Sequence, residues 1–291
     1  MADEKVVTRF APSPTGRLHL GHAFAALFAA AAARDAGGRF LIRIEDIDTS
    51  RARPDFERAI FEDLAWLGLK WEEPVRRQSA HMADYAEALD RLRTMDVVYP
   101  CFCTRAEIRV EIARSPSAPH GPDGPLYPGT CRGLSDDERD ARQAEGQAFA
   151  LRLDAVKALG AANEKTGHEG GSGITWHDAD AGEHTVDTEL FGDVVIARKE
   201  TTTSYHLAVT VDDALQDVTL VTRGLDLMPT THIHRLLQSL LDLRVPQYHH
   251  HRLIADEAGQ RLATRDKAMA LSALRDQGVT PEDVRRMVGM L

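Results

Sequence analysis

The spacing of apolar residues at the start of the chain changes from strand-like to helix-like and back again. Residues 6–10 (VVTRF) predict a short buried strand, and residues 11–16 (APSPTG) predict a turn because prolines and a glycine interrupt regular structure. A helix is predicted from near Leu20 to about Ala36, where two glycines end it. Residues 39–45 (RFLIRIE) alternate and predict a second strand. This order is typical of a βαβ unit, whose ligand crevice lies at the carboxyl ends of parallel strands.

The sequence pattern in the rest of the chain predicts further helices and strands, with one long loop among them. Helices are predicted at about 55–67, 81–95, 105–114, 136–145 and 231–242, and from Pro281 onward. Strands are predicted at 193–198, 205–211 and 218–222. Residues 160–185 are rich in glycine, histidine and acidic residues, and we expect them to form a mobile loop. The alternation of strands and helices predicts an α/β fold.

All three cysteines fall within residues 99–133, a proline-rich stretch with little predicted core of its own. The count is odd and Cys101 is separated from Cys103 by one residue, so a disulfide framework is not expected. A metal ion would supply the missing stability, with Cys131 as a third ligand. From spacing alone, His120 or a water is the fourth ligand, because three cysteines and a histidine form a standard zinc set. Three buried, reduced cysteines are the simpler alternative.

Two histidines, His19 and His22, stand where the predicted turn enters the first helix. They are three residues apart, so they share a helix face beside free backbone N–H groups and the positive end of the helix dipole. Gly21 lacks a Cβ and would let a flat ring such as adenine approach the backbone. The histidines can donate hydrogen bonds to charge that develops on a phosphate. The pair predicts a polyphosphate site, with packed or solvated histidines as the simpler alternative.

Composition narrows the classes of function. The 291 residues are 43% hydrophobic and 27% charged, which is typical of a globular protein. Since 35 basic and 45 acidic side chains give a net charge of −10, any contact with RNA is expected to be local. No secretory signal is visible, and the longest apolar run, residues 23–33, is shorter than the roughly 20 residues of a membrane span. We expect no membrane segment and a cytoplasmic location.

Several segments carry a resemblance to a known family. Residues 9–16 (RFAPSPTG) and 18–22 (LHLGH) resemble the signature of class I glutamyl-tRNA synthetases, in which His-Leu-Gly-His is a form of the HIGH motif. Residues 42–48 (IRIEDID) followed by Arg51, and residues 221–226 (VTRGLD), are similar to the same family further along. Neither a P-loop nor a dinucleotide-binding glycine motif occurs.

Within that family the chain is most similar to short paralogues, the glutamyl-Q tRNA(Asp) synthetases. The segments that carry this likeness are residues 99–103 (YPCFC) and 127–131 (YPGTC), together with the length of the chain. The chain ends 27 residues after Thr264, so no anticodon-binding domain is expected.

The resemblance implies a Rossmann-like parallel sheet with an inserted zinc-containing subdomain and a helical C-terminal segment. The implied boundaries are a first half of the nucleotide-binding domain at 1–98, an inserted connective region at 99–192, a second half at 193–245, and a KMSKS-like loop with C-terminal helices at 246–291.

The resemblance also implies a glutamate site. The residues implied to bind glutamate are Arg9, Phe10, Ala11, Pro12, Ser13, Glu45, Tyr205 and Arg223. Glu45 would hold the ammonium group, and the arginines suit carboxylates because a guanidinium donates a fork of hydrogen bonds. A surface ion pair among Arg9, Arg43 and Glu45 is the simpler alternative.

The same resemblance implies an ATP site and a zinc site. The residues implied to bind ATP are His19, Gly21, His22, Arg261, Thr264 and Arg265. Thr264 occupies the place of the family's phosphate-binding lysine, so Arg261, Arg265 or Lys267 would have to supply the cation. A tyrosine four residues before the last cysteine completes the subfamily's zinc site. The implied zinc ligands are therefore Cys101, Cys103, Tyr127 and Cys131.

The implied activity is the ATP- and Mg²⁺-dependent activation of L-glutamate, with His19 and His22 as the catalytic pair. The glutamyl group would then pass to queuosine at the wobble position of tRNA(Asp), whose anticodon stem-loop is the expected partner of a monomeric enzyme. Two alternatives stay open at this point. One is a truncated synthetase that charges tRNA(Glu), and the other is a noncatalytic zinc-containing paralogue that binds RNA or glutamate, which Thr264 favours.

Overall fold

The computed structural model describes residues 5–114, 120–121, 124–167, 173–254 and 269–290. The strands are β1 (Val7–Phe10), β2 (Arg39–Ile44), β3 (Glu72–Arg77), β4 (Val98–Cys101), β5 (His120–Gly121), β6 (Gly124–Pro125), β7 (Ala150–Leu153), β8 (Thr175–Asp178), β9 (Gly182–Thr185), β10 (Val195–Ala197), β11 (Leu220–Gly224) and β12 (Gln247–His251). The α-helices are α1 (Leu20–Asp35), α2 (Pro54–Trp66), α3 (Met82–Thr94), α4 (Arg105–Arg114), α5 (Asp136–Ala144), α6 (Ala155–Thr166), α7 (Tyr205–Leu215), α8 (Thr230–Leu240), α9 (Leu271–Asp276) and α10 (Pro281–Met287). No helix in this described part combines the length and apolar character needed to cross a membrane.

Two parallel sheets meet edge to edge at the centre of the molecule. The first has the order β1-β2-β3, and the second has the order β11-β12-β8-β9, in which β9 alone runs antiparallel to its neighbour. They meet between β1 and β11, where the Thr219 N–H donates to the Val7 carbonyl at 3.0 Å. The chain leaves β1 through α1 toward β2 and returns much later to β11, so the junction is a switch point at which ligands bind in α/β folds.

A third, antiparallel sheet takes its strands from residues 98–197, so β10 lies beyond the boundary expected at 192. Its order is β10-β7-β4, and β5 and β6 form a short antiparallel pair beside it. Tyr99, Cys101, Phe102 and Cys131 form a small buried cluster there, separate from the larger cores. This stretch therefore has only a small apolar core of its own.

Helix α1 packs on β1, β2 and β11 through a buried row of small side chains. Ala23, Ala26, Ala29 and Ala33 are all buried, and Thr8 of β1 donates through its hydroxyl to the Ala29 carbonyl at 2.8 Å. Small side chains let the helix lie close to the sheet, so its first turn is held at the carboxyl ends of β1 and β11.

Most elements expected from the sequence are confirmed, including the initial strand, helix and strand and the helices near 55–67, 81–95 and 231–242. The strand expected at 205–211 is wrong, because these residues begin helix α7. An almost continuous apolar run carries no period that separates a buried helix from a buried strand. The Ser204 hydroxyl caps the helix by accepting from the Leu207 N–H.

The mobile loop expected at 160–185 is also wrong over most of its length. Helix α6 continues to Thr166 and ends at Gly167, which adopts the left-handed conformation typical of a helix C-terminus. Strands β8 and β9 then form a hairpin in which Trp176 is 2% exposed and packs in the core. The glycine, histidine and acidic residues that suggested a loop lie largely between these elements. Residues 168–172 lie outside the described part.

Candidate functional site

The candidate site lies where β1, β2 and β11 end and where α1 and α7 begin. Arg9 stands near the end of β1, Glu45 directly follows β2, and Arg223 stands near the end of β11. His19 and Tyr205 stand at the first turns of α1 and α7. Side chains from five elements thus converge on the junction of the two parallel sheets.

Asp213 of α7 joins the arginines of the first two strands. Arg9 donates to it through Nε at 2.8 Å and Nη2 at 3.1 Å, and Arg43 donates through Nη1 at 2.7 Å. Burial opposes ionisation of Asp213, but the charges of Arg9 and Arg43 hold its pKa at about 2. Asp212 lies 3.7 Å from Arg43 and is paired in turn with Arg76 at 2.7 Å. Arg43 is fully buried, so this network is a fixed part of the fold.

Glu45 and Tyr205 lie within the field of these charges. The Glu45 carboxylate accepts from Arg43 Nη2 at 3.1 Å, and burial raises the pKa of Glu45. Burial also raises the pKa of Tyr205, while the charges of Arg223, Glu45 and Arg9 act on its hydroxyl. The side chain of Tyr205 therefore shares one environment with the charged residues expected to bind glutamate.

Arg223 is held in a different way from the other two arginines. It donates through Nε to His250 at 3.1 Å, through Nη1 to His234 at 3.1 Å, and through Nη2 to Thr231 at 2.6 Å. The acceptors are two imidazoles and a hydroxyl, and none of these three acceptors is a carboxylate. Its positive charge is therefore available to a ligand.

The charged groups of the site suit an amino acid that has an acidic side chain. Arg9, Arg43 and Arg223 carry three positive charges, and Glu45 and Asp213 carry two negative ones. Asp212, 3.7 Å from Arg43, and Asp178, bonded to Arg223 through His250, add further negative charge, so it is the guanidinium of Arg223, without a direct carboxylate partner among the described residues, that favours an anionic substrate group. Free glutamate has an ammonium group and two carboxylates, so it brings a net charge of −1 at neutral pH, whereas glutamine brings none.

His19 and His22 form a reciprocal cap at the start of α1. His19 accepts through Nδ1 from the Gly21 N–H at 3.1 Å, and His22 accepts through Nδ1 from the His19 N–H at 3.3 Å. Burial and the neighbouring His19 lower the pKa of His22 to about 3. Because both Nδ1 atoms accept, each neutral ring carries its proton on Nε2. The pair presents N–H donors at a helix N-terminus, which is chemistry suited to phosphate oxygens.

The cysteine cluster has the geometry of a tetrahedral metal site. The Sγ atoms of Cys101, Cys103 and Cys131 lie within 4.8 Å of one another, with 3.4 Å between Cys103 and Cys131. The Tyr127 hydroxyl lies 3.4 Å from Cys101 Sγ and 3.7 Å from Cys103 Sγ. Zinc bonds of about 2.3 Å to sulfur and 2.0 Å to oxygen would place tetrahedral ligands ~3.5–3.8 Å apart. The four residues therefore fit a zinc ion.

Chemistry also favours a cation at this cluster. Burial raises the pKa of Cys103 to about 12, so a thiolate there needs a compensating charge. The Tyr127 oxygen accepts from the Cys131 N–H at 2.9 Å, and burial raises the pKa of Tyr127 as well, so a phenolate there would also need a cation beside it. The side chain of His120, the fourth ligand considered from spacing alone, lies outside the described part of the structure.

The other residues expected at the site lie at the end of β1, in the turn that follows it, or outside the described residues. Phe10 is a core residue of β1 at 7% exposure, and Ser13 lies on the exposed part of the turn. Ala11 is half-buried and Pro12 is buried, with the Pro12 carbonyl accepting from the Glu45 N–H at 3.0 Å, which ties the turn to the end of β2. Arg261, Thr264 and Arg265 lie within residues 255–268, outside the described residues.

Sequence reasoning missed the residues that orient the arginines. These are Asp178, Asp213, Thr231, His234 and His250. The signal was present in part, because two adjacent aspartates after an apolar run are unusual unless they are paired. His250 belongs to a run of three histidines at 249–251, and the structure places it against Arg223.

Comparisons with known proteins show the family of the chain. Residues 5–291 match the model of the catalytic domain of class I tRNA synthetases (E and Q). A glutamyl-Q tRNA(Asp) synthetase of Rhodobacter capsulatus is 50% identical, over 98% of this chain and 100% of the relative. One of Nitratidesulfovibrio vulgaris is 40% identical, over 97% of this chain and 85% of the relative.

Solved structures show the same fold. A glutamate tRNA ligase of Elizabethkingia meningosepticum in complex with its amino acid is 28% identical with a TM-score of 0.79, covering 99% of this chain. The glutamate-tRNA synthetase of Elizabethkingia anophelis has a TM-score of 0.80. This chain spans 61% and 62% of the lengths of those two structures. The chain belongs to the class I glutamyl- and glutaminyl-tRNA synthetase family.

Proposed function

We propose that this protein activates L-glutamate with ATP and transfers the glutamyl group to queuosine in tRNA(Asp). The observation that carries the proposal is end-to-end similarity to a relative that bears the name glutamyl-Q tRNA(Asp) synthetase, at 50% identity. The bonding of Arg223 supports an acidic amino acid as the substrate, because its three hydrogen bonds in the described part of the structure go to two imidazoles and a hydroxyl and not to a carboxylate.

In the first step an oxygen of the glutamate α-carboxylate attacks the α-phosphorus of ATP. The bond from that phosphorus to the bridging oxygen breaks, and pyrophosphate leaves with the Mg²⁺ that entered with ATP. Glu45 binds the substrate ammonium group, and Arg9, Tyr205 and Arg223 bind its carboxylate oxygens. His19 and His22 donate from Nε2 to the phosphate as negative charge develops in the transition state.

In the second step a hydroxyl of the queuosine cyclopentene ring attacks the carbonyl carbon of glutamyl-adenylate. The hydroxyl proton is lost, AMP leaves, and an ester joins glutamate to the modified nucleoside. The tRNA anticodon stem-loop is the partner in this step, and it binds through local contacts because the chain as a whole is acidic.

The residues that flank 255–268 support a role for that segment in ATP binding. Ile254 packs with Phe24 and Leu27 of α1, and on the other side Leu271 donates to the Leu18 carbonyl at 2.8 Å. Both flanks therefore lie beside the helix that carries His19. We assign Arg261, Thr264 and Arg265 to the ATP phosphates on this basis and on the family motif.

We also assign Cys101, Cys103, Tyr127 and Cys131 to one structural zinc ion. The ion would cross-link the strand that ends at Cys101 to the segment before α5, in a part of the molecule with a small core.

The test is ATP–pyrophosphate exchange with glutamate in the absence of tRNA, with aspartate and glutamine as controls. We expect exchange with glutamate alone, followed by glutamyl transfer to tRNA(Asp) that contains queuosine and no transfer to the unmodified tRNA. Charging of tRNA(Glu) would instead identify a truncated glutamyl-tRNA synthetase. No exchange with or without tRNA would overturn the proposed activity.

A further inference from the structure

A chain of hydrogen bonds, buried except for the partly buried last one, runs through Arg223 from one side of the site to the other. It begins at Asp178, whose Oδ2 lies 2.7 Å from His250 Nδ1. His250 Nε2 lies 3.1 Å from Arg223 Nε, and Arg223 Nη1 lies 3.1 Å from His234 Nδ1. His234 Nε2 then lies 3.3 Å from His206 Nδ1. The chain thus connects the end of β8 to the first turn of α7.

The position of every proton in this chain follows from the guanidinium, which can only donate. His250 must accept at Nε2, so its proton is on Nδ1 and is donated to the Asp178 carboxylate. His234 must accept at Nδ1, so its proton is on Nε2 and is donated to His206. His206 in turn carries its proton on Nε2. Each of the three rings is a neutral imidazole of one tautomer.

Burial and charge keep these rings neutral. Burial, and next the charge of Arg223, lower the pKa of His250 to about 4 and that of His206 to about 4. The pKa of His234 is lowered for the same two reasons. An imidazolium in this chain would place a second cation against Arg223 and remove an acceptor from it.

Asp178 is connected to Arg223 by hydrogen bonds through His250. Its Oδ1 accepts from the Asp180 and Ala181 N–H groups at 3.0 Å, and its Oδ2 accepts from the His250 backbone N–H at 3.0 Å. These bonds fix the carboxylate in place. The result is that Arg223 is oriented by three neutral acceptors, and the balancing carboxylate stands one imidazole away.

This arrangement differs from that of Arg9, whose guanidinium is paired directly with Asp213. A directly paired arginine has much of its charge satisfied within the fold, whereas Arg223 keeps its charge and two uncommitted N–H groups among the described residues. An anionic group of the substrate is the partner that such a cation lacks.

We propose that Asp178, His250 and His234 are positioning residues that hold Arg223 as an oriented cation, without a direct carboxylate partner among the described residues, for a carboxylate of the amino-acid substrate. The inference rests on the proposed function for the identity of that substrate. It adds to that function a physical basis for discrimination, since an amide in place of the carboxylate leaves the buried charge of Arg223 unsatisfied.

The kinetic test compares two substitutions of the same histidine. His234→Leu removes the acceptor for Arg223 Nη1, and we expect the KM for glutamate in exchange to rise about tenfold or more while the KM for ATP is unchanged. His234→Gln restores an acceptor and a donor, so it should return the KM toward that of the wild type. His177→Leu, an exposed residue of β8, is the matched control.

The second test reads the tautomers directly in the wild-type protein. Long-range ¹H–¹⁵N correlation at pH 7 should show His250 protonated on Nδ1 and His234 protonated on Nε2. Asp178→Asn removes the carboxylate charge behind His250 and leaves its amide nitrogen facing backbone N–H donors, so the KM for glutamate should rise.

The outcomes separate this inference from the proposed function. The opposite tautomers, or an imidazolium at either ring, would overturn the inference even if the enzyme activates glutamate. A folded His234→Leu variant with a glutamate KM within about twofold of the wild type would do the same. A wild-type protein with the expected tautomers but without glutamate-dependent exchange would overturn only the proposed function.

Discussion

Arg9 and Asp213 are joined by two parallel hydrogen bonds, from Nε to Oδ1 at 2.8 Å and from Nη2 to Oδ2 at 3.1 Å. The pair connects strand β1 to helix α7 across 204 positions of sequence, and both side chains are largely buried. Asp213 also accepts from Arg43 at 2.7 Å, so a single carboxylate holds two guanidinium groups in the candidate glutamate site.

Replacing Asp213 by asparagine should therefore destabilise the protein strongly. The substitution leaves two buried arginines without their shared anion, which costs about 3–5 kcal/mol of unfolding free energy. Urea denaturation measures the loss. Asp35→Asn removes a carboxylate that is 68% exposed, and it should change the stability by no more than about 0.5 kcal/mol. Equal effects of the two substitutions would show that the Asp213 network contributes nothing special.

Replacing His19 by asparagine and His22 by glutamine should stop adenylate formation without unfolding α1. Asparagine is a good N-cap and glutamine can complete a capping box, so the start of the helix keeps its hydrogen bonds. The Nε2 donors expected to stabilise the phosphate are lost, which should lower exchange by about 100-fold or more. The readouts are ATP–pyrophosphate exchange and thermal unfolding.

His81→Asn is the matched control for that double variant, because His81 is 40% exposed and distant in sequence from the site. Exchange by the double variant within about twofold of the wild type would remove the phosphate-binding role of the two histidines.

The parts of the site that the sequence predicted are those encoded within a few consecutive residues. His19, Gly21 and His22 fall in one helical turn, and Cys101 and Cys103 are separated by a single residue. Local spacing is enough to place such groups together. Arg9, Glu45 and Arg223 were placed by family motifs, and the structure brings them to the ends of adjacent strands.

The parts that the sequence did not predict depend on partners far apart in the chain. Arg43 meets Asp213 at a separation of 170 residues, and His250 meets Asp178 at a separation of 72. No periodicity encodes such a pairing. The error over α7 made this worse, because a strand over 205–211 gives no reason to expect Asp212 and Asp213 to be buried.

Removal of a zinc ligand should release the metal and loosen the inserted part of the chain. The wild-type protein is expected to contain one zinc ion, and Cys131→Ser should lose it and lower the thermal stability. Tyr127→Phe keeps three thiolates, so it should still bind zinc but release it to a chelator more readily. Metal analysis and chelator competition measure both effects.

Tyr99→Phe is the control for the Tyr127 substitution. It removes another buried tyrosine hydroxyl of the same cluster, one that donates to Asp193 at 2.5 Å and not to a cysteine. If Tyr127→Phe and Tyr99→Phe release zinc as slowly as the wild type, Tyr127 is not a ligand.

Placing a lysine at position 264 should improve ATP binding. Thr264 stands where the family has a phosphate-binding lysine, and an ammonium group there adds a positive charge beside the polyphosphate. We expect Thr264→Lys to lower the KM for ATP about fivefold, since a solvent-accessible charge contact contributes about 1 kcal/mol. Thr166→Lys, at the end of α6, adds the same charge elsewhere. An unchanged KM would mean that Arg261, Arg265 or Lys267 already supplies this cation.

Acidification should destabilise the protein, because the folded state holds two histidines in the neutral form. His206 and His250 have pKa values of about 4 in the folded protein, against 6.5 in the unfolded chain. Above pH 6.5 these rings are mostly neutral in both the folded and the unfolded state. They therefore add no pH dependence to the unfolding free energy in that range. Between pH 6.5 and 4 the unfolded state binds more protons, and stability falls by up to about 1.4 kcal/mol per pH unit for each ring.

The slope of the unfolding free energy against pH identifies the rings responsible for the loss of stability. His206→Gln should reduce the pH dependence of the unfolding free energy between pH 6.5 and 4 by about one proton. His177→Gln, at an exposed position of β8, should leave the slope unchanged. Urea denaturation at half-unit intervals of pH measures both slopes. A His206→Gln slope equal to that of the wild type would mean that the His206 ring is protonated as readily in the folded protein as in the unfolded chain, contrary to the hydrogen bond it accepts from His234.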